Sequence, residues 1–226
     1  MSPLTAFIIG AGANATKSLS GRGKPAFDQL KKDGYFPVAV DVESPGSLAT
    51  AFAQINKELG PPNVVVFNSN YRDLITPPVP DDPLTLSVEA LTKQTAVGLA
   101  VFTAAQEALS GFRSEANKGT HKTFIVTGNP LPWKLVSWRL MSRSPRPIRK
   151  KKFGARGFYY ASLVNETTGG ILDPLSEFFT SGPQHAQVYL DLVTREDQAD
   201  WDYRSPDIYL LLSSRFTLKG KKWAKA

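Results

Sequence analysis

The sequence predicts an α/β fold: a doubly wound, mostly parallel sheet with helices on both faces, in a single domain over 1–226. Three observations predict it. Short apolar runs rich in β-branched and aromatic residues alternate with stretches of helical periodicity. The first of these runs ends in a glycine-rich turn, Gly10-Ala11-Gly12. The 226 residues, 42% hydrophobic and 21% charged, suffice to bury a core without staples and match neither a disordered nor a membrane chain.

Leu4–Ile9 reads as a buried strand. Ala26–Lys32 reads as a helix that Gly34 stops, and Phe36–Val42 is a second apolar run. Ser44-Pro45-Gly46-Ser47 caps a helix through Leu59, with Leu48, Phe52, Ile55 and Leu59 on one face. Gly60-Pro61-Pro62 breaks that helix before a strand at Asn63–Phe67, and Pro77-Pro78-Val79-Pro80 shapes an exposed loop. Leu84–Phe112 carries a long helical pattern through Leu91, Val97, Val101, Ala105 and Leu109. Lys122–Thr127 and Phe158–Val164 are further strands, and His185–Val193 with a charged tail closes the chain. Trp133, Phe158, Tyr159 and Tyr160 either wall a cleft or fill the core. Asp191, Glu196, Asp197, Asp200 and Asp202 read as one solvated helix face rather than a metal cluster.

The absence of cysteine excludes disulfides, thiol catalysis and cysteine-type zinc sites, and two histidines, His121 and His185, argue against a metal centre. The start of the chain lacks the pattern of a signal peptide, and no run approaches about 18 consecutive apolar residues, so the expectation is a cytoplasmic protein without a membrane span. The formal charge is +7, yet the window Asn129–Asn165 holds nine basic residues and no acidic one. The rest of the chain is therefore mildly acidic. Within the window, Ser142-Arg143-Ser144-Pro145-Arg146-Pro147 cannot continue a helix. Residues 131–156 read as a basic exposed insertion. Interleaved Trp133, Trp138 and Phe153 allow a nucleic-acid contact through 134–156, but a solvated insertion is the favoured reading because no recognised nucleic-acid module surrounds them.

Gly10-Ala11-Gly12-Ala13-Asn14-Ala15 fits the pattern G-x-G-x-x-G/A in the strand-to-helix position where it has physical meaning. The glycines permit a tight turn and let backbone amides approach a diphosphate at a helix N-terminus. The acidic residue expected about 20 residues on, at the end of the second strand, is missing. The first acid ending a strand is Asp41, 29 residues beyond Gly12. Asp41 is a ribose partner in a loose unit, or it belongs to a third strand whose predecessor is lost.

With Val40-Asp41-Val42, Asn63-Val64-Val65-Val66-Phe67-Asn68 and Phe124-Ile125-Val126-Thr127-Gly128-Asn129 following in order, the chain resembles the short-chain dehydrogenase/reductase family, especially its divergent fungal members. Phe158–Val164 and Ser181–Ala186 look like the C-terminal strand and helix of that family. The resemblance covers most of the chain, apart from about 131–155 and 205–214. It implies a Rossmann-like sheet, here lacking one strand, and NAD(P)(H) as cofactor. By that likeness Gly10, Gly12 and Asn14 line the pyrophosphate, Asp41 approaches the adenine, and Asn68 makes a central-strand cofactor contact. Thr16 stands where the family has a third glycine. With the second strand lost, Phe36–Val42 is expected to pair directly beside Leu4–Ile9, which returns Asp41 to the ribose position.

The resemblance also implies a small carbonyl or alcohol substrate, reduced with a tyrosine, a lysine four residues later, a serine and an asparagine. None of the seven tyrosines has a lysine at that spacing; Tyr159 is followed by Leu163 and Tyr160 by Val164. Gly128-Asn129 ends the strand that delivers the serine, and Thr95 holds the asparagine position. Lys150–Lys152 precede Tyr159 and Tyr160 and have no helical geometry toward them. No catalytic residue is assigned. The expected function is a dinucleotide-binding protein with weak or no oxidoreductase activity, the alternative being a non-catalytic binding or interaction protein. Residues 131–155 and 205–214 read as products of an altered reading frame.

Overall fold

The computed structural model describes residues 5–10, 24–69, 78–79, 82–128, 157–164, 182–195, 197–198 and 202–206. Five strands and four helices occur among them: β1 (Ala6–Ile9), α1 (Lys24–Lys32), α2 (Pro45–Leu59), β2 (Val64–Phe67), α3 (Val88–Arg113), β3 (Thr123–Thr127), β4 (Gly157–Val164), α4 (Gly182–Thr194) and β5 (Asp202–Pro206). The strands form one sheet in the order β1-β2-β3-β4-β5, and every pairing is parallel. All their carboxyl ends therefore lie along one edge.

The pleat sorts side chains between two cores. Phe7, Ile9, Val65, Phe67, Phe124, Val126 and Tyr160 face α2 and α3, whose Leu48, Phe52, Ile55, Ala100, Ala104 and Ala108 are buried against them. On the other face Val64, Val66, Ile125, Tyr159 and Ala161 pack on Val188 and Leu192 of α4. Helices on both faces make the sheet doubly wound, as the sequence predicts. The steps β2-α3-β3 and β4-α4-β5 advance in the same direction with their helices on opposite faces, so the two crossovers are of opposite hand. Phe158, Tyr159 and Tyr160 belong to the cores: Phe158 stacks on Phe124 at 5.3 Å between ring centres, and Tyr159 is 1% exposed.

Local chemistry sets the element ends. Gly34 stops α1 with φ 85°, its amide donating to the Lys31 carbonyl. Ser44 is the N-cap of α2 and Pro45 opens it, but the Ser44 side chain makes no cap bond. Ser47 instead turns back, its Oγ accepting from the Asp41 amide at 2.8 Å. The α3 helix starts at Val88 rather than Leu84, because Pro83–Thr85 forms a separate 3₁₀ turn and Ser87 caps the Ala90 amide. Asn63, 1% exposed, ties the amino ends of three strands: its Oδ1 accepts from the Thr5 amide and its Nδ2 donates to the His121 carbonyl, both at 2.9 Å.

Two expectations change. Phe36–Val42 forms no strand and makes no ladder with β1 among the described residues. It runs as an extended segment whose Val38, Val40 and Val42 alternate onto the core, so burial holds it there without sheet hydrogen bonds. The acidic residues also do not share a helix face. Asp191 lies on α4 and bonds Arg195, whereas Asp202 lies on β5 opposite Tyr160. In addition, β5 runs on through Ser205 and Pro206, which pair with Leu163 and Val164, so the first residues of 205–214 are sheet. The segments 131–156 and 207–214, Trp133 among them, lie outside the described residues.

Candidate functional site at the carboxyl rim

In a parallel sheet the loops that leave the carboxyl ends form the crevice where ligands bind. The strand registers bring four such ends side by side. Ile9 is opposite Phe67, Phe67 opposite Val126, and Val126 opposite Tyr160. One step further along the rim come Gly10, Asn68, Thr127 and Ala161, and beyond them Ser69, Gly128 and Ser162.

Gly10 and Asn68 are joined directly. The Asn68 amide donates to the Ile9 carbonyl at 2.7 Å, and the Asn68 side-chain Nδ2 donates to the Gly10 carbonyl at 2.7 Å. Gly10 has φ 77°, and a Cβ there would collide with the Ser69 backbone. Glycine is thus needed twice, for the left-handed turn and for the close crossing of two loops. Of the residues singled out from sequence, Gly12 and Asn14 lie outside the described residues. Asp41 is exposed on the extended segment before α2, and its carboxylate accepts from the Glu43 amide at 3.0 Å. Among the described residues, the hydrogen bonds of Asp41 run to Glu43, Ser44 and Ser47 and not to the Gly10–Asn68 clasp. Its position off the sheet follows from the missing ladder at Phe36–Val42.

At β3 and β4 the rim is tightly packed. The Gly128 amide donates to the Ala161 carbonyl at 2.6 Å, and a Cβ at 128 would strike the Ser162 hydroxyl and the Tyr160 ring. Ser162 is 2% exposed and its Oγ has no hydrogen-bond partner. On the opposite face, the hydroxyls of Thr127 and Tyr189 lie 2.5 Å apart and connect β3 to α4. Burial pushes the Tyr189 phenol up to about 12, against the opposing effect of its bond to Thr127. At neutral pH it is an uncharged hydrogen-bonding group, not a base. His185, buried one turn earlier on α4, presents its ring edge-on to Tyr189 with centres 6.1 Å apart. Thr95 is exposed on α3 and its hydroxyl donates to the Thr92 carbonyl at 2.8 Å. Asn129 and Lys150–Lys152 lie outside the described residues.

Sequence reasoning missed Thr127, Ser162, Gln184 and Tyr189. The available signal was the spacing in the last helix, where His185, Val188, Tyr189 and Leu192 recur at helical intervals and carry two polar-tipped rings onto an apolar stripe. Among the described residues no group of three or more acidic, cysteine or histidine side chains is placed to hold a metal ion. None of the described helices is long and apolar enough to cross a membrane.

No protein-family model matches the chain. A short-chain dehydrogenase/reductase of Cryptosporiopsis sp. is 29% identical over 227 residues, covering 89% of this chain and 91% of that protein. The fold is shared with a short-chain type dehydrogenase/reductase from Mycobacterium marinum, at a TM-score of 0.60 and 15% identity, covering 93% of this chain and 96% of that one. It is shared equally with a short-chain dehydrogenase/reductase from Serratia marcescens, at a TM-score of 0.60 and 13% identity, covering 90% and 96%. An alcohol dehydrogenase from Thermococcus sibiricus, solved in complex with 5-hydroxy-NADP, matches at a TM-score of 0.56 and 14% identity, covering 91% and 97%. The near full-length sequence likeness and the parallel sheet wound on both faces agree: the chain is similar in sequence to a short-chain dehydrogenase/reductase and shares the fold of that family's solved members.

Proposed function

We propose that the chain binds a nicotinamide dinucleotide, NAD(P)(H), across the carboxyl rim of its sheet, and that its carbonyl-reducing activity is weak or absent. The observation that carries the binding is the clasp at Gly10. Gly10, without room for a Cβ and with its carbonyl fixed by Asn68, ends β1 in a backbone that a diphosphate can approach closely. In this reading Gly10, Gly12 and Asn14 line the pyrophosphate, Asp41 approaches the adenine, and Asn68 stands beside the cofactor at the central strand. The Thermococcus sibiricus relative, solved with 5-hydroxy-NADP, supports the ligand class. Such a cofactor supplies or accepts a hydride when bound; the chain's own residues orient it at the rim.

The weak or absent activity follows from chemistry that the sequence lacks. Protonating a carbonyl oxygen needs an acid held in reach, and no tyrosine here precedes a lysine by four residues. Tyr159 and Tyr160 are committed to opposite cores. Any substrate is a small carbonyl or alcohol. Titration of the purified chain with NADH and NADPH is expected to give a saturable fluorescence change, and its absence would overturn the binding. A panel of aldehydes and ketones offered with either cofactor is expected to show no turnover above background; turnover would reject the inactive reading.

A further inference from the structure

Among the described residues β1 ends the sheet on one side, pairing with β2 alone. The Thr5 carbonyl accepts from the Val64 amide and the Ile9 carbonyl from the Asn68 amide. Thr5, Phe7 and Ile9 therefore turn their backbone groups toward β2, and Ala6 and Ile8 turn theirs outward. No hydrogen bond from the described residues reaches those outward groups. Open edges are ordinarily blunted by charge, proline, a bulge or a covering element. Ala6-Phe7-Ile8-Ile9 has neither charge nor proline, and it pairs with β2 in unbroken register.

Phe36–Val42 shares a core with this edge but does not ladder to it. Val38, Val40 and Val42 pack in the cluster that holds Phe7 and Ile9. Ala39, Asp41 and Glu43 alternate with them and are exposed. The backbone bonds of this segment run from Asp41 to Ser44 and Ser47, and none runs to β1. Two extended stretches with open backbone thus meet one apolar core, and two carboxylates stand on the solvent side.

We propose that the outer edge of β1 takes an added strand, an extended segment of another protein in which apolar side chains alternate with basic ones. Side chains alternate across a strand. One set of the added strand lies against the core of Phe7, Ile9 and Val38; the other emerges on the face of Ala6, Asp41 and Glu43. There lysine or arginine meets the two carboxylates, and an acidic segment meets like charge. Main-chain bonds to Ala6 and Ile8 supply the affinity, and the alternation selects the partner. The site is built on backbone groups at the sheet edge and does not depend on the dinucleotide reading.

The probe is a short fluorescein-labelled peptide alternating valine and lysine, followed by anisotropy on the full chain. It is expected to bind saturably, and a peptide alternating valine and glutamate to bind about tenfold more weakly. Ala6→Pro removes the outward amide at the first residue of β1 and keeps every bond to β2. It is expected to melt as the parent does and to weaken the valine–lysine peptide about tenfold, the loss of one hydrogen bond. The same peptide with its backbone N-methylated tests these bonds from the ligand's side on the unaltered chain, and is expected not to bind. No saturable binding of the valine–lysine peptide would overturn the added strand. So would equal affinity for the glutamate peptide, or binding that survives Ala6→Pro or N-methylation.

Discussion

The hydroxyls of Thr127 and Tyr189, 2.5 Å apart, are the polar link that fastens α4 to the carboxyl end of β3. Removing it with Tyr189→Phe keeps the ring in the apolar stripe and deletes one hydrogen bond, at a cost of about 1 kcal/mol at neutral pH. The pH dependence is more specific. Folding raises the phenol pKa from 10.0 to about 12, because burial disfavours the phenolate. The stabilisation is complete below pH 10 and is lost as pH rises toward 12. Urea unfolding of the parent is expected to show this loss, about 2 kcal/mol or less, and Tyr189→Phe is expected to lack it. A parent stability that stays flat from pH 9.5 to 11.5 would show that the phenol titrates as it does in the unfolded chain.

Gly10 and Gly34 separate two reasons for a glycine. Both have positive φ, 77° and 85°, but only Gly10 faces a neighbour; space beside Gly34 is open. Gly34→Ala is expected to cost about 1 kcal/mol for the left-handed backbone alone. Gly10→Ala adds the collision with Ser69 and is expected to cost at least about 2–3 kcal/mol, because the clash is with backbone that cannot rotate away. Thermal melts of the two variants check the ordering, and equal shifts would contradict it.

The strands that carry this rim were legible because a doubly covered parallel strand reads as a continuous apolar run. Val64–Phe67 and Phe124–Val126 could hardly be anything else. Phe36–Val42 looked the same but is not a strand. Its alternating valines satisfy burial, whereas a ladder also needs a neighbour, and no sequence pattern reports whether one exists. The tight turn at Gly10 was legible because a positive φ is a local need that glycine answers, whereas Asn68 was singled out only through the family resemblance, and its bond to the Gly10 carbonyl left no mark in the sequence. Ser162 and Gln184 were not legible, because an unpartnered atom is a property of the packed chain and leaves no mark on its neighbours in sequence. Tyr189 lies between these cases: its spacing placed it on a helix, but only the packing of α4 on β3 could bring it to Thr127.

Asn63 makes a further prediction at the opposite edge of the sheet. Its side chain links the Thr5 amide, ahead of β1, to the His121 carbonyl, ahead of β3, and it is 1% exposed. Asn63→Ala leaves a donor and an acceptor without their partner, at a cost of about 2–4 kcal/mol. Asn63→Asp keeps the acceptor for Thr5 but turns an oxygen toward the His121 carbonyl. It is expected to destabilise as much at neutral pH and less below about pH 4, where the carboxyl is protonated and can donate. Recovery on acidification distinguishes the loss of this hydrogen bond from a loss of packing volume.

Asp41 has two jobs available to it, and one substitution separates them. Its carboxylate accepts from the Glu43 amide, a local turn that an asparagine oxygen can also make. In the proposed binding mode the same carboxylate supplies negative charge toward the adenine of the cofactor, which asparagine cannot. Asp41→Asn is therefore expected to leave the melting temperature within about a degree of the parent, since the exposed turn is kept. It is expected to weaken NADH and NADPH binding by similar factors, several-fold, because the lost charge faces the adenine that the two cofactors share. If both affinities and the melting temperature stay at parental values, Asp41 serves only its own turn, and the extended segment that carries it stands clear of the ligand.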